Sequence, residues 1–193
     1  MPRVSADEKE RSHARIIKEA SKAFRSNGLA GTRVADVMKA AGLTHGGFYR
    51  HFSSRAELLA SALEDAIKDA MSDLEHATTP EAQRDALLRY VDLYLSPEHV
   101  QNVQEGCPLA AAATEAGRGD ATVRQAASAG SQYVVLLLSR ALANTTENPE
   151  AKAHALLSLL IGTVTFARIA NGVHDVDDWL NAAKLTAHQI LKG

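Results

Sequence analysis

The chain's 193 residues suffice for one ordinary globular core, or for a small module joined to a larger one. With 46% hydrophobic residues, 5 prolines and 12 glycines the composition excludes disordered and fibrous classes, and a single Cys, Cys107, excludes an internal disulfide and fits a reducing compartment. The net charge of -2 conceals an asymmetry: residues 1–55 carry 11 Lys/Arg against 5 Asp/Glu, whereas residues 56–193 carry 10 against 18, so a compact positive end sits on an acidic body, as in a phosphate-binding module attached to something else.

The start, MPRVSADEKERSHARI, is charged and lacks the apolar stretch of a signal peptide, and no run of about 18 apolar residues follows. The expectation is a cytoplasmic protein with no membrane partner. No stretch alternates in the manner of a strand, so every element is expected to be helical. The first helix begins at Ser5, where Ser5 and Glu8 have capping-box spacing, and runs through Ile16, Ile17, Ala20 and Phe24 to a stop at Asn27-Gly28. The second starts after Thr32 as N-cap; Val34, Val37, Met38 and Ala41 form one narrow apolar face, and Gly42 ends it. A very short third helix follows Thr44. The fourth starts at Ser54, with Glu57 three residues on, and reaches about Glu75 before the TTP at 78–80. Further helices are expected over 80–95, 108–116, 121–143, 149–170 and 177–191, opened by Pro or Asp, which makes nine in all.

Two short helices joined at Gly42-Leu43 form a helix-turn-helix, whose second helix enters the DNA major groove N-terminus first. His45, Gly46 and Tyr49 are then exposed, while Leu43, Phe48 and Phe52 turn inward. The glycines, each costing roughly 1 kcal/mol in a helix, make sense where bare backbone approaches bases and phosphates.

These residues, GTRVADVMKAAGLTHGGFYRHFSSRAELL, resemble the DNA-binding domain of TetR/AcrR-type transcriptional regulators over about residues 10–60. The resemblance implies an all-α, nine-helix TetR-like fold: a three-helix DNA-binding domain over residues 1–54 and a helical ligand-binding and dimerisation domain over 55–193. It makes Thr44, His45 and Gly46 the base-edge readers, puts Tyr49 and His51 on phosphates, and lets Thr32, Arg33 and Arg55 clamp the flanking backbone. Tyr and Thr hydroxyls, Arg and helix N-terminal amides all suit phosphate oxygens. Gly47 departs from the Thr, Ser or Ala of many relatives and leaves few side chains to read bases; His51 can equally be a packing residue, and Arg50 a solvated charge.

The helix over 149–170 is apolar on opposite faces through Leu156, Leu157, Leu159, Leu160, Ile161, Val164 and Phe166, with small residues at Gly162, Thr163 and Ala167. With Trp179 and Leu180 of the final helix it predicts a homodimer through four helices, as the resemblance also implies. Between these helices and the DNA-binding module, Tyr90, Tyr94 and Tyr133 are candidates for the walls of a small-molecule inducer site, with Cys107 and Phe166 completing the set; each Tyr can equally be plain core. The resemblance thus implies a repressor that binds a palindromic operator and is released by an inducer, with no cofactor and no metal. Cys107, in EGCPLAAAATEA, resembles a stretch in one branch of the family where a cysteine is in some members an electrophile sensor. Pro108 makes Cys107 an N-cap, where the helix dipole lowers a thiol pKa, while Glu105 acts the other way, and a structural Cys107 is the alternative.

An enzyme finds no support in the motifs: there is no nucleophile elbow, no metal-spaced His/Cys cluster and no carboxylate pair on a recognisable scaffold. GRGDAT at 117–122 lacks a preceding strand and a third glycine and reads as a helix–helix turn. A sequence-independent architectural DNA binder would have no need of the large acidic body.

Overall fold

Side-chain caps and prolines at helix starts set the layout of the chain, and the computed structural model describes residues 6–192. Ser5, the expected first cap, lies outside the described residues. Helix α1 (Ala6–Gly31) is interrupted at Gly28, whose φ of 74° and ψ of 169° are non-helical, so the expected stop is a break followed by one more turn. Helix α2 (Val34–Ala40) has Arg33, not Thr32, at its N-cap, and no side chain caps it. The Thr32 hydroxyl instead donates to the Gly28 carbonyl at 2.8 Å, backwards across the break, and Thr32 is 2% exposed.

Gly42, at φ 71°, ends α2 in a Schellman motif: its amide donates to the Lys39 carbonyl at 3.0 Å and the Leu43 amide to the Met38 carbonyl at 2.9 Å. The third element is a 3-10 helix, His45–Arg50. Helix α3 (Arg55–Ala70) is capped by Ser54, which accepts from the Glu57 amide at 3.1 Å, while the Glu57 carboxylate returns to the Ser53 amide at 2.6 Å. The reciprocal bond of the expected capping box thus falls one residue early.

The fourth expected helix is two, because the backbone leaves helical geometry at Met71 before α4 (Ser72–His76). Helix α5 (Pro80–Tyr94) follows Thr79 as cap. Two elements were not expected: α6 (Pro97–Gln101), capped by Ser96, and a 3-10 turn at Val103–Glu105. Helices α7 (Pro108–Ala116), α8 (Ala121–Leu142), α9 (Pro149–Ala170) and α10 (Asp177–Lys192) then match the sequence reading closely. The described residues contain no strand.

One apolar cluster runs through the molecule, from Ile16, Phe24, Phe48 and Phe52 through Leu63, Leu87 and Leu138 to Leu156, Leu160 and Leu191. Helix α1 packs on α2, α3 and α7, so the N-terminal unit shares its core with the body. Burying side chains of this size stabilises by about 1.5–3 kcal/mol each, which holds the unit against α7 and α8 rather than on a free linker.

Candidate nucleic-acid interface and buried polar cluster

The 3-10 helix is held from beneath by aromatic packing. Phe48 and Phe52 are each 2% exposed, with ring centroids 5.8 Å apart, and the His13 ring of α1 lies 4.5 Å from Phe52. Anchoring one side presents the other: Tyr49 is 74% exposed, its ring edge-on to Phe48, and Thr44, His45 and Gly46 are exposed beside it. Leu43 is half-buried against the core, as expected. Neither Gly46 nor Gly47 has a positive φ, and a Cβ at Gly46 would meet nothing, while one at Gly47 would make ordinary contacts with Met38 and Thr44. Nothing inside the chain requires glycine at either place.

Arg33 is exposed at the start of α2. Three other expected contact residues are engaged within the chain. The side chain of Thr32 is buried. His51 turns partly inward, its Nδ1 buried without a hydrogen-bond partner and its ring 5.9 Å from that of His13; burial first, then the neighbouring His13, pushes its pKa down. The Arg55 guanidinium donates to the carbonyls of Thr32 at 2.9 Å, of Ala30 at 3.3 Å and of Leu29. Arg50 is exposed.

In the body, Tyr90, Tyr94 and Cys107 come together. The Tyr90 and Tyr94 rings are 5.6 Å apart, and Tyr94 stacks on His99 at 4.6 Å. Sequence reasoning missed His99, because α6, which carries it, went unrecognised although Ser96-Pro97 is a regular helix start. It also missed Arg168, whose Nε donates to the Val100 carbonyl at 3.3 Å, and whose charge acts on Tyr94, His99 and Cys107. The Tyr94 hydroxyl and His99 Nε2 are buried without partners of good geometry, although the hydroxyl lies close enough to the Cys107 thiol to influence it. Burial, with Arg168 adding to it, holds the His99 pKa down at about 4, so this imidazole is neutral.

Cys107 is the N-cap of α7, and its sulfur accepts from the Ala110 amide at 3.4 Å. The expected lowering of its pKa is overridden: burial, the largest influence, pushes the thiol up despite the opposing pull of Tyr94, the α7 amides and Arg168. At 7% exposure it has the character of a packed thiol. Tyr133 and Phe166 do not join this group. Tyr133 sits by Glu75 and Arg140 between α4 and α8, and Phe166 stacks on Trp179 at 5.5 Å on the outer face of α9 and α10.

That outer face is apolar. Phe166 is 54% exposed, Ile169 70%, Trp179 50% and Leu185 70%, beside an open groove of about 390 Å³ floored by Leu159, Thr163 and Ala183. Of the small residues expected to admit a partner helix, Thr163 and Ala167 are buried within the chain, and only Gly162 has open space above it. Length and hydropathy alone would let α9 cross a membrane, but 44% of its most apolar window is buried against the rest of the chain, chiefly α8 and α10.

The geometry agrees with what similar proteins show. The sequence pattern of "Bacterial regulatory proteins, tetR family" matches residues 16–62. The HTH-type transcriptional regulator TtgR of Pseudomonas putida is 37% identical over 87 residues, 45% of this chain and 41% of TtgR, so the match spans about two fifths of that relative's length. An uncharacterised HTH-type transcriptional regulator of Mycobacterium tuberculosis, Rv0196, is 26% identical over 84% of this chain and 87% of its own. Among solved structures, the reduced form of E. coli NemR superposes with a TM-score of 0.77 at 22% identity, covering 93% of this chain and 96% of that one, a likeness of fold. Residues 16–62 thus match the helix-turn-helix DNA-binding domain of tetR-family bacterial regulatory proteins, and the chain as a whole shares the fold of NemR.

Proposed function

We propose that the protein is a repressor that binds a palindromic operator as a homodimer and releases it when a small molecule occupies the body. The observation that carries this reading is the exposed edge Thr44, His45, Gly46 and Tyr49, with Gly47 half-buried between them, supported by Phe48 and Phe52 on an electropositive N-terminal unit. Base contacts fall to Thr44, His45 and the bare backbone at Gly46 and Gly47, and phosphate contacts to Tyr49 and Arg33. Thr32 and Arg55 act behind this edge by fixing the turn that leads into α2, and His51 by packing against His13 at the end of the 3-10 helix. The functional division falls at residues 54 and 55, with α3 linking the two parts.

The face formed by Phe166, Ile169, Trp179 and Leu185, with Gly162 beside it, supports dimerisation, since a monomer rarely leaves large side chains clustered in water. Tyr90, Tyr94, His99 and Cys107 form the proposed inducer site, on the strength of the buried Tyr94 hydroxyl and His99 Nε2, which lack hydrogen-bond partners of good geometry. The burial of Cys107 weighs against electrophile sensing as the trigger. Sedimentation of the protein with a duplex selected from a random pool tests the reading. Two protomers per duplex are expected; one protomer, or none bound, would contradict it.

A further inference from the structure

Helix α7 is tied at both ends to α1. At its leading end the Gly106 carbonyl accepts from Arg25 Nη1 at 3.1 Å. At its far end the Glu115 carboxylate accepts from the amides of Leu29 at 3.2 Å and Ala30 at 2.6 Å. These two amides begin the new helical turn after the Gly28 break, and such amides have no partner within their own turn. Their cap is supplied by the body instead of by a neighbouring Ser, Thr or Asp. A side chain at Gly28 would overlap the Glu115 carboxylate, so the glycine both breaks the helix and admits the cap.

The carbonyls of the same turn are claimed from the opposite side, since Arg55 of α3 donates to Leu29, Ala30 and Thr32. Around these bonds lies a cleft of about 300 Å³, with Leu29, Ala30, Arg55 and Leu59 on one wall and Arg118 and Val123 on the other. Glu115 stands at the joint between them. Residues 29–33 lead directly into α2, so the position of this turn sets the orientation of the exposed edge at Thr44 to Tyr49 relative to the body.

We infer that Glu115 is a positioning residue for operator binding: it fixes the angle between the DNA-binding unit and the body, and through it the spacing of the two DNA-reading edges in a dimer. The inference rests on the dimeric reading above. It separates two quantities that a purely local stabilising role would move together, namely affinity for a single half-site and affinity for the full palindrome.

Fluorescence anisotropy with a palindromic duplex selected by the wild-type protein, and with a duplex carrying one half of it, provides the test. Wild type gains on the palindrome by about a hundredfold or more, because the second half-site is bound intramolecularly. Glu115→Ala should reduce that gain about tenfold or more, leaving half-site affinity within about twofold. Glu115→Gln, which keeps one acceptor oxygen and sets an NH2 donor against the other amide, should restore only part of the gain, and amide exchange in Glu115→Ala should quicken at Leu29 and Ala30 but not across 44–52. If Glu115→Ala proves insoluble, Glu115→Asp, one methylene too short, is expected to show the same split. Equal losses on both duplexes, or none on either, would overturn the inference. A wild type that gains nothing on the palindrome would overturn the dimeric reading, and this inference with it.

Discussion

Arg55 and Thr32 meet at the base of the DNA-binding unit, where Arg55 Nε donates to the Thr32 carbonyl at 2.9 Å while the same guanidinium reaches the Leu29 and Ala30 carbonyls. A guanidinium that commits Nε and Nη2 to three carbonyls secures a turn. Arg55→Ala should therefore lower stability to urea by about 0.5–1.5 kcal/mol, the net worth of a typical hydrogen bond, since the residue is exposed and solvent screens its charge. Lys, with a single ammonium, should recover less than half of that. The salt dependence of DNA binding should change by less than one unit of slope; a full unit lost with stability intact would make Arg55 a phosphate contact instead.

Gly46 separates stability from function. Its φ is not positive and a Cβ there meets nothing, so Gly46→Ala should raise stability by about 0.4–1 kcal/mol through the unfolded chain. The same methyl would stand between the backbone and the DNA, and operator affinity should fall. Thermal unfolding together with anisotropy shows whether the two move in opposite directions.

The outer face of α9 and α10 calls for a substitution that spares the core. Leu160, prominent in the sequence pattern, is wholly buried within the chain, so a charge there would unfold the protein. Phe166→Glu combined with Leu185→Glu removes two exposed apolar side chains and should leave a folded monomer at micromolar concentration. Circular dichroism and sedimentation check both halves of that expectation, and an intact dimer would move the interface elsewhere.

His99 predicts a pH dependence whose sign follows from proton uptake. In the unfolded chain the imidazole binds a proton near its ordinary 6.5, while in the fold this waits until about 4. Between those values the unfolded state holds more protons, so stability is full above about pH 7, falls as pH drops through 6.5, and levels off below about 4. His51, whose pKa is also pushed down, adds a change of the same sign. His99→Phe, which preserves the ring against Tyr94, should shrink the loss of melting temperature between pH 7 and pH 5; an unchanged loss would place the effect elsewhere.

Local chemistry made much of this fold readable. Proline at the first turn placed the starts of α7 and α9, Asp120 marked α8 as the GRGDAT turn suggested, and Gly42 ended α2 where a left-handed residue was required. The inward Phe48 and Phe52 and the outward Tyr49 followed from spacing on one short element. What escaped was non-local. No sequence signal pairs Glu115 with the amides of Leu29 and Ala30, or sets Arg168 beside Cys107, and the thiol's environment is decided by burial and not by its place at a helix start. The 149–170 stretch was too apolar to show which side faced the core; the structure places Leu156, Leu160 and Val164 inside and Phe166 and Ile169 outside.

The most direct test of sequence-specific binding through the Thr44 to Tyr49 edge compares the duplex selected by the protein with a scrambled duplex of equal length and composition, at about 0.15 M salt. The selected duplex should bind about a thousandfold tighter or more, with half-sites about 34–36 Å apart or a multiple of that, and His45→Ala should cost about 1–3 kcal/mol at one base pair. Equal affinity for the two duplexes would contradict sequence-specific regulation and leave only a basic patch that binds any DNA.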